Sequence, residues 1–282
     1  MSGEPQKING NGVFRVATFN LENYLDATAK KGCVKSDGAK AKIRECIRGV
    51  KPDVIALQEI GSAETLQELR ASLAAENLEF PHWEYVAGAD EDLHVAILSK
   101  FPFAARRPHT DDNIMLNEQA FRVRRGFAEV DVRVNPRFSF TLFASHLKSK
   151  SKNENERAGA DALRLEEARL LREKIEARLK KAPDARIVLC GDFNDTKDSR
   201  VVRTIAGAGK YRLVDTLSFN KAGAAAWTNY YPEKNRYERI DYVMLNPAMA
   251  ECWLPEKSGV YEMPDWKLAS DHRPVVATFA SN

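Results

Sequence analysis

Cysteine is scarce, with four residues in a chain of 282: Cys33, Cys46, Cys190 and Cys252. That is too few for a disulfide scaffold, and their spacing lacks the paired pattern of a structural zinc site. Cys190 falls inside an apolar run and reads as a small buried residue. Cys33 and Cys46 can pair only if the protein is exported. Long apolar runs are also missing. No stretch reaches the about 18 residues that a membrane-spanning helix needs, so no span is expected. Residues 1–12 are polar and lack the apolar core of a signal peptide, so they read as a flexible lead-in. A signal peptide already removed would leave a secreted or periplasmic location open, and the compartment stays unassigned. Net charge is low, +3, too small to identify a nucleic-acid binder and too small to exclude one if the basic residues cluster. Neither a Walker-type glycine loop nor a Gly-x-Ser-x-Gly elbow occurs, so nucleotide-loop and serine-hydrolase chemistry lose ground.

What remains is an ordinary core-forming composition, 44% hydrophobic and 29% charged, which suits one large domain over residues 13–282. The chain is organised around Arg186 to Thr196. Ile187 to Cys190 reads as a strand buried on both faces. It stops at Gly191, and Asp192 and Asn194 follow at i, i+2, which in extended chain puts both side chains on one side. A carboxylate and a carboxamide thus emerge where a core strand ends, the usual ligand position in α/β sheets.

Other segments repeat the pattern. Val13 to Phe19 is strand-like and ends at Asn20. Val54 to Leu57 ends at Gln58-Glu59, after a helix from about Ala39 to Val50. Ser62 caps a further helix. Trp83 to Ala87 and Val95 to Leu98 are strands, and residues 100–120 read as irregular. Phe127 to Val134 alternates, with Glu129, Asp131 and Arg133 on what reads as a wet face. Its partner, Phe138 to Ser145, ends at His146. A helix spans about Ala160 to Lys180, and Ser199 to Ala206 is a short one. Trp227 to Tyr231, Ile240 to Leu245 and Pro274 to Phe279 are strands, with Ser270-Asp271-His272 before the last. Each half holds strand–helix–strand units, which predicts two sheets packed face to face with helices outside.

The polar residues at strand ends are Asn20, Glu59, His146, Asp192, Asn194, Asp271 and His272. Such an oxygen-dominated set suits a hard cation such as Mg²⁺ better than zinc.

Thr18-Phe19-Asn20, Leu57-Gln58-Glu59, Ser145-His146-Leu147-Lys148-Ser149, Gly191-Asp192-Phe193-Asn194, Arg239-Ile240-Asp241-Tyr242 and Ser270-Asp271-His272 occur in that order. Together they resemble the endonuclease/exonuclease/phosphatase superfamily, the deoxyribonuclease I-like fold, over essentially the whole chain. The resemblance implies an α/β fold, a four-layer α/β sandwich of two packed mixed β-sheets flanked by helices. It also implies metal-dependent hydrolysis of a phosphate ester. It makes Glu59 the principal metal ligand, with Asn20 and Asp271 close by, for Mg²⁺ or Mn²⁺, with Ca²⁺ as a structural ion. Asp192 would orient or deprotonate the attacking water. Asn194 would hold the phosphate, and His146 and His272 would act on its oxygens, with Asp241 orienting an imidazole. The loop Gly88 to Asp92 lacks the tyrosine that some members carry there, leaving His94 as its substitute. Arg125 matches an arginine position of deoxyribonuclease-like members.

Lys148, Lys150 and Lys152, with Arg122, Arg124 and Arg125, are expected to form a basic rim that binds phosphate backbones, Arg125 and Lys148 foremost. Nucleic acid is therefore the expected substrate, cut with little sequence preference. Inositol phosphates or sphingomyelin are the alternative within the chemistry, and a non-catalytic binding module is the alternative outside it. No protein partner is evident, and a monomer is expected.

Overall fold

A computed structural model describes residues 12–31, 34–150, 154–219 and 226–281. The lead-in up to residue 11, Cys33 and Lys152 lie outside the described residues. Strands and helices are numbered in chain order. One six-stranded sheet runs β15 (Gly259–Val260), β16 (Val275–Ala280), β1 (Val13–Tyr24), β2 (Val54–Ile60), β4 (His94–Ser99) and β3 (His82–Val86). The other runs β11 (Val214–Asp215), β14 (Asp241–Leu245), β10 (Ile187–Asp192), β9 (Phe138–His146), β8 (Phe127–Asn135) and β5 (Phe103–Arg106). Both sheets are mixed: β1 pairs parallel to β2 and β9 parallel to β10, while the other pairings within the two sheets are antiparallel. Two hairpins stand apart, β6–β7 (Asn113–Leu116, Gln119–Arg122) and β12–β13 (Asn229–Tyr231, Arg236–Glu238).

Strand periodicity explains the layers. In β1, Phe14 and Val16 join a core between the sheets, while Ala17, Phe19 and Leu21 join an outer core with α1 (Asp37–Val50) and α2 (Ala63–Ala75). In β10, Val188 and Cys190 face inward; Ile187 and Leu189 meet α3 (Glu154–Lys181) and α4 (Arg200–Ala206). Both faces of each central strand are covered, so these strands read as continuous apolar runs rather than alternating ones. A last short helix, α5 (Pro247–Ala250), follows β14. Serine side chains cap three helices as their sequence positions suggest: Ser36, Ser62 and Ser199 accept from the main-chain N–H of Ala39, Thr65 and Val202. No helix among the described residues is long and apolar enough to cross a membrane.

Two local expectations change. Residues 100–120 are not irregular throughout: they hold β5, β6 and the start of β7, strands too short to show a period. The expected wet face of β8 is partly covered. Glu129 is buried, with hydrogen bonds from Arg107, His109 and Arg178 of α3. Burial pushes its carboxyl up, but the His109, Arg178 and Arg107 contacts outweigh that and hold it down at about 2. Cys46 is a buried free thiol in the α1 core.

The strand does not stop at Gly191 as expected: β10 continues to Asp192, and glycine stands at 191 for a steric reason. Its φ is +144°, and a Cβ there would lie 1.9 Å from the Ser145 carbonyl oxygen of β9. Gly191→Ala is expected to cost about 3 kcal/mol or more of stability, since both backbone strain and a main-chain clash must be absorbed. Urea unfolding measures it; a loss below about 1 kcal/mol would show that the two strands separate more easily than their register implies.

Candidate active site

The periodicity that fills the inter-sheet core also builds the site. Asn20 continues the inward series Phe14, Val16, Thr18 along β1. His146 continues Phe140, Leu142, Ala144 along β9, and Asp192 continues Val188, Cys190 along β10. Asp241 begins the series completed by Val243 and Leu245 on β14. Asp192 stands opposite His146 on one side and Asp241 on the other. At one end of the sandwich, therefore, apolar filling gives way to polar side chains from four strands in two sheets.

Glu59 arrives differently. Gln58 holds the inward position and accepts a hydrogen bond from the Thr18 hydroxyl at 3.1 Å. Glu59 has φ +60°, and both pairings of β2 shift register around it. This bulge turns the carboxylate toward the site instead of the helix layer. Its Oε1 accepts from Asn20 Nδ2 at 3.3 Å and its Oε2 from the Asn23 N–H at 2.9 Å. Asn194 also has a left-handed backbone, φ +52°. Extended i, i+2 geometry therefore does not hold at Asp192 and Asn194. The Asn194 N–H instead bonds back to Asp192 Oδ1 at 2.8 Å, a side-chain-closed turn, and its amide donates to the Leu147 carbonyl at 2.9 Å.

Asp192 Oδ2 is the meeting point. It lies 3.0 Å from Asn20 Nδ2, 3.6 Å from His146 Nε2 and 3.9 Å from His272 Nε2. His272 Nδ1 is 2.8 Å from Asp241 Oδ2, and its Nε2 is 3.7 Å from Asp271 Oδ1. Ser270 fixes this segment by donating its hydroxyl to the Asn20 carbonyl and accepting the His272 N–H. Thr228 does the same for β14, its hydroxyl taking the N–H groups of Ile240 and Asp241. Arg239 pairs with Asp215, which leaves Asp241 to the histidine.

Electrostatics separate the two imidazoles. Burial opposes a charge on His272, but Asp241 and Asp271 overcome it and raise its pKa well above the ordinary value. Burial lowers His146 well below that value, and Arg125 and His272 push the same way. At neutral pH one ring is an imidazolium and the other is neutral. Burial and the Asp241 charge raise Asp192, against the pull of His272, the Asn194 N–H and the Asn20 amide. Burial pushes Asp271 up to about 6, helped by Glu22, Glu59 and Asp241 and opposed by His272.

Glu59, Asp192, Asn194, Asp271 and His272 line the floor of a cleft of about 930 Å³. One wall holds Ser149, Lys150 and Asp161. The other is the β12–β13 hairpin, with Asn229, Tyr231, Lys234, Arg236 and Glu238. Its first strand falls within the expected strand Trp227 to Tyr231, but its second strand and its place beside the cleft were not anticipated, because three residues carry no period. Its back is braced by Tyr230 and Tyr237 against Trp227 and Trp266. Glu22, also unanticipated, lines the cleft. The basic rim is thinner than expected. Arg125 is buried beneath the site, donating to the Leu147 carbonyl and 3.6 Å from Asp90. Arg122 and Arg124 pair with Asp111 and Asp90. Lys148 is half-buried and donates to the Ser149 carbonyl, and Lys150, 3.7 Å from Asp195, is among the described residues the lysine of that segment that lines the cleft. His94 lines a separate cavity of about 320 Å³ with Asp26, Ser62 and Tyr85.

The donor set fits a divalent cation. The charges of Glu22 and Glu59 help to raise the Asp271 pKa, and a cation among these carboxylates would relieve that repulsion.

A model of the endonuclease/exonuclease/phosphatase family matches residues 17–272. The chain belongs to this family. Solved structures of the deoxyribonuclease I-like fold superpose over nearly all of it. The catalytic domain of human nocturnin with bound sulfate has a TM-score of 0.68 at 15% identity, covering 96% of both chains. Sphingomyelinase C from Streptomyces griseocarneus gives 0.61 at 19%, covering 95% of this chain and 99% of that one. Truncated TDP2 from Caenorhabditis elegans gives 0.63 at 16%, covering 95% and 97%. A search of curated protein sequences found no match. At such identities the superpositions establish the fold, and the family match makes this chain a relative of phosphoesterases that generally use divalent metals.

Proposed function

We propose that residues 13–282 of this endonuclease/exonuclease/phosphatase-family protein act as one catalytic domain, a divalent-metal-dependent phosphodiesterase that cuts nucleic acid, DNA foremost, with little sequence preference. The observation that carries this reading is the Asp241–His272 pair directed at Asp192, with neutral His146 beside it, at the floor of an open cleft. Glu59, Asn20 and Asp271 would hold Mg²⁺ or Mn²⁺, which when bound polarises a phosphoryl oxygen and lowers the barrier to attack. The scissile phosphate sits over His272 and Asn194. The imidazolium neutralises charge that grows on the non-bridging oxygens, and the Asn194 turn fixes the orientation. Asp192, raised above the usual carboxylate range, holds the attacking water and takes its proton as the new P–O bond forms; the ester P–O bond breaks, and the departing oxygen takes up a proton from solvent to leave as the alcohol. His146, uncharged, donates or accepts a hydrogen bond at the phosphate without adding a second cation.

One observation favours a second reading. The rim arginines are paired or buried, so the cleft has less free positive charge than a long polyanion would use, and a smaller phosphodiester also fits. Digestion of supercoiled plasmid and single-stranded DNA in Mg²⁺ decides between them, run against a chelator and a His146→Ala variant. Nicking that needs both the metal and His146 is expected. Intact DNA alongside hydrolysis of phosphoinositides, sphingomyelin or small diesters would move the substrate and keep the chemistry.

A further inference from the structure

Among the described residues, helix α3 buries three charged side chains that do not enter the cleft: Arg172, which holds α4 and the turn after it, and Arg164 and Glu167, each 2% exposed. A charge is placed there only when enough partners offset its lost hydration. For Glu167 the partners are main-chain donors from two segments distant in sequence. One carboxylate oxygen accepts the Arg124 N–H at 3.3 Å, and the other accepts the Lys148 N–H at 2.6 Å. The first segment leads into Arg125 and β8; the second leaves β9 directly after His146. The Leu147 carbonyl, one residue before that second anchor, receives both Arg125 Nη1 at 3.1 Å and Asn194 Nδ2 at 2.9 Å. Arg164, one helical turn before Glu167, donates to the Lys148 carbonyl at 3.2 Å and to Asp195 at 3.3 Å. Three segments that carry Arg125, His146 and Asn194 are therefore tied at one peptide, Leu147–Lys148, and α3 holds Lys148 by both its N–H, through Glu167, and its carbonyl, through Arg164.

We propose that Glu167 is a positioning residue for the reaction at the cleft: its carboxylate clamps the Arg124–Arg125 segment to the Leu147–Lys148 peptide and thereby sets the side chains of Asn194 and His146. The negative charge matters as well as the shape. Burial raises the Glu167 pKa, and the Lys148 N–H, Arg125, the Arg124 N–H and the Lys148 charge pull against that rise, so the charged carboxylate faces Arg125 and Lys148, whose positive charges would otherwise repel one another across the clamped peptide. A glutamine can accept one of the two N–H groups, but it turns an NH₂ toward the other and removes the charge. This role rests on the phosphodiesterase reading.

The test compares wild type with Glu167→Gln and Glu167→Ala on bis-nitrophenyl phosphate in saturating Mg²⁺, alongside hydrogen exchange of the Lys148 amide. Both variants are expected to lose about 10- to 100-fold in kcat, with KM changed by less than about threefold, the pattern of a displaced supporting group. The Lys148 amide is expected to exchange at least about tenfold faster, while amides of β10 keep their protection. If Glu167→Ala does not fold, Glu167→Gln decides alone. Wild-type kcat in the folded variants, or unchanged exchange at Lys148, would overturn the proposal, because a merely structural role lowers Tm without touching kcat. If wild type hydrolyses no diester in metal, the phosphodiesterase reading fails and the positioning role falls with it; altered exchange in that case reports only a structural clamp.

Discussion

Asp241→Asn is expected to reduce kcat by about 10³-fold while leaving the sandwich folded, because it removes a charge and almost no volume. Asp241 is 1% exposed and sits 2.8 Å from His272 Nδ1. Its carboxylate is among the groups that keep His272 protonated against the cost of burial. Without that charge, burial is opposed by fewer carboxylates and the His272 pKa falls. A raised pKa means that the imidazolium persists as pH climbs, so lowering it makes the charged form disappear at lower pH. The alkaline limb of the pH–rate profile is therefore expected to shift downward in Asp241→Asn, with part of the lost rate recovered at more acidic pH. The same substitution removes one of the two causes that raise Asp192, so the acidic limb moves down too. A plain loss of activity with unmoved limbs would mean that Asp241 only props the ring. Activity within about threefold of wild type would remove the pair from the mechanism.

Asp241 was reached only through its motif, whereas Asn20, His146 and Asp192 were legible in the sequence for one physical reason. Each extends an apolar strand series by one further inward step, so its side chain had to emerge where the core ends. Glu59 and Asn194 were found by position and motif, but their placement depends on left-handed backbone at a bulge and a turn, which no two-residue period encodes. Arg125 and Glu129 mark the limit. A lone arginine and an alternating glutamate look solvated in sequence, and only the fold shows that the Leu147 carbonyl and the α3 side chains cover them. Of the hairpin wall only the first strand was legible, within Trp227 to Tyr231; the second, Arg236–Glu238, was hidden because three charged and aromatic residues give no pattern, although it lines one side of the cleft.

Glu59→Gln is expected to weaken Mg²⁺ or Mn²⁺ binding by about 10- to 100-fold and to cut kcat further than saturating metal can restore. The carboxylate lies between Asn20 Nδ2 and the Asn23 N–H, each already donating to it. A glutamine can keep one of these bonds, but its NH₂ must then face the other donor, so the side chain rotates or the bulge shifts. Shape is thus nearly conserved, and the loss falls on charge and orientation, the two properties that a hard cation selects. The effect should propagate to Asp271, because Glu59 is one of the charges that push it up to about 6. With that charge gone, Asp271 ionises at lower pH and becomes a better lone ligand near neutrality, which gives the variant a residual weak site instead of none. Calorimetric titration of both ions into wild type and variant measures the change directly, and the rise in Tm on adding metal gives an independent reading, since a ligand that binds only the folded chain stabilises it by mass action. Equal affinity in the two proteins would move the metal away from Glu59. Full activity of wild type in excess chelator would remove it from the reaction, and Asp192 with His272 would have to carry the attack alone.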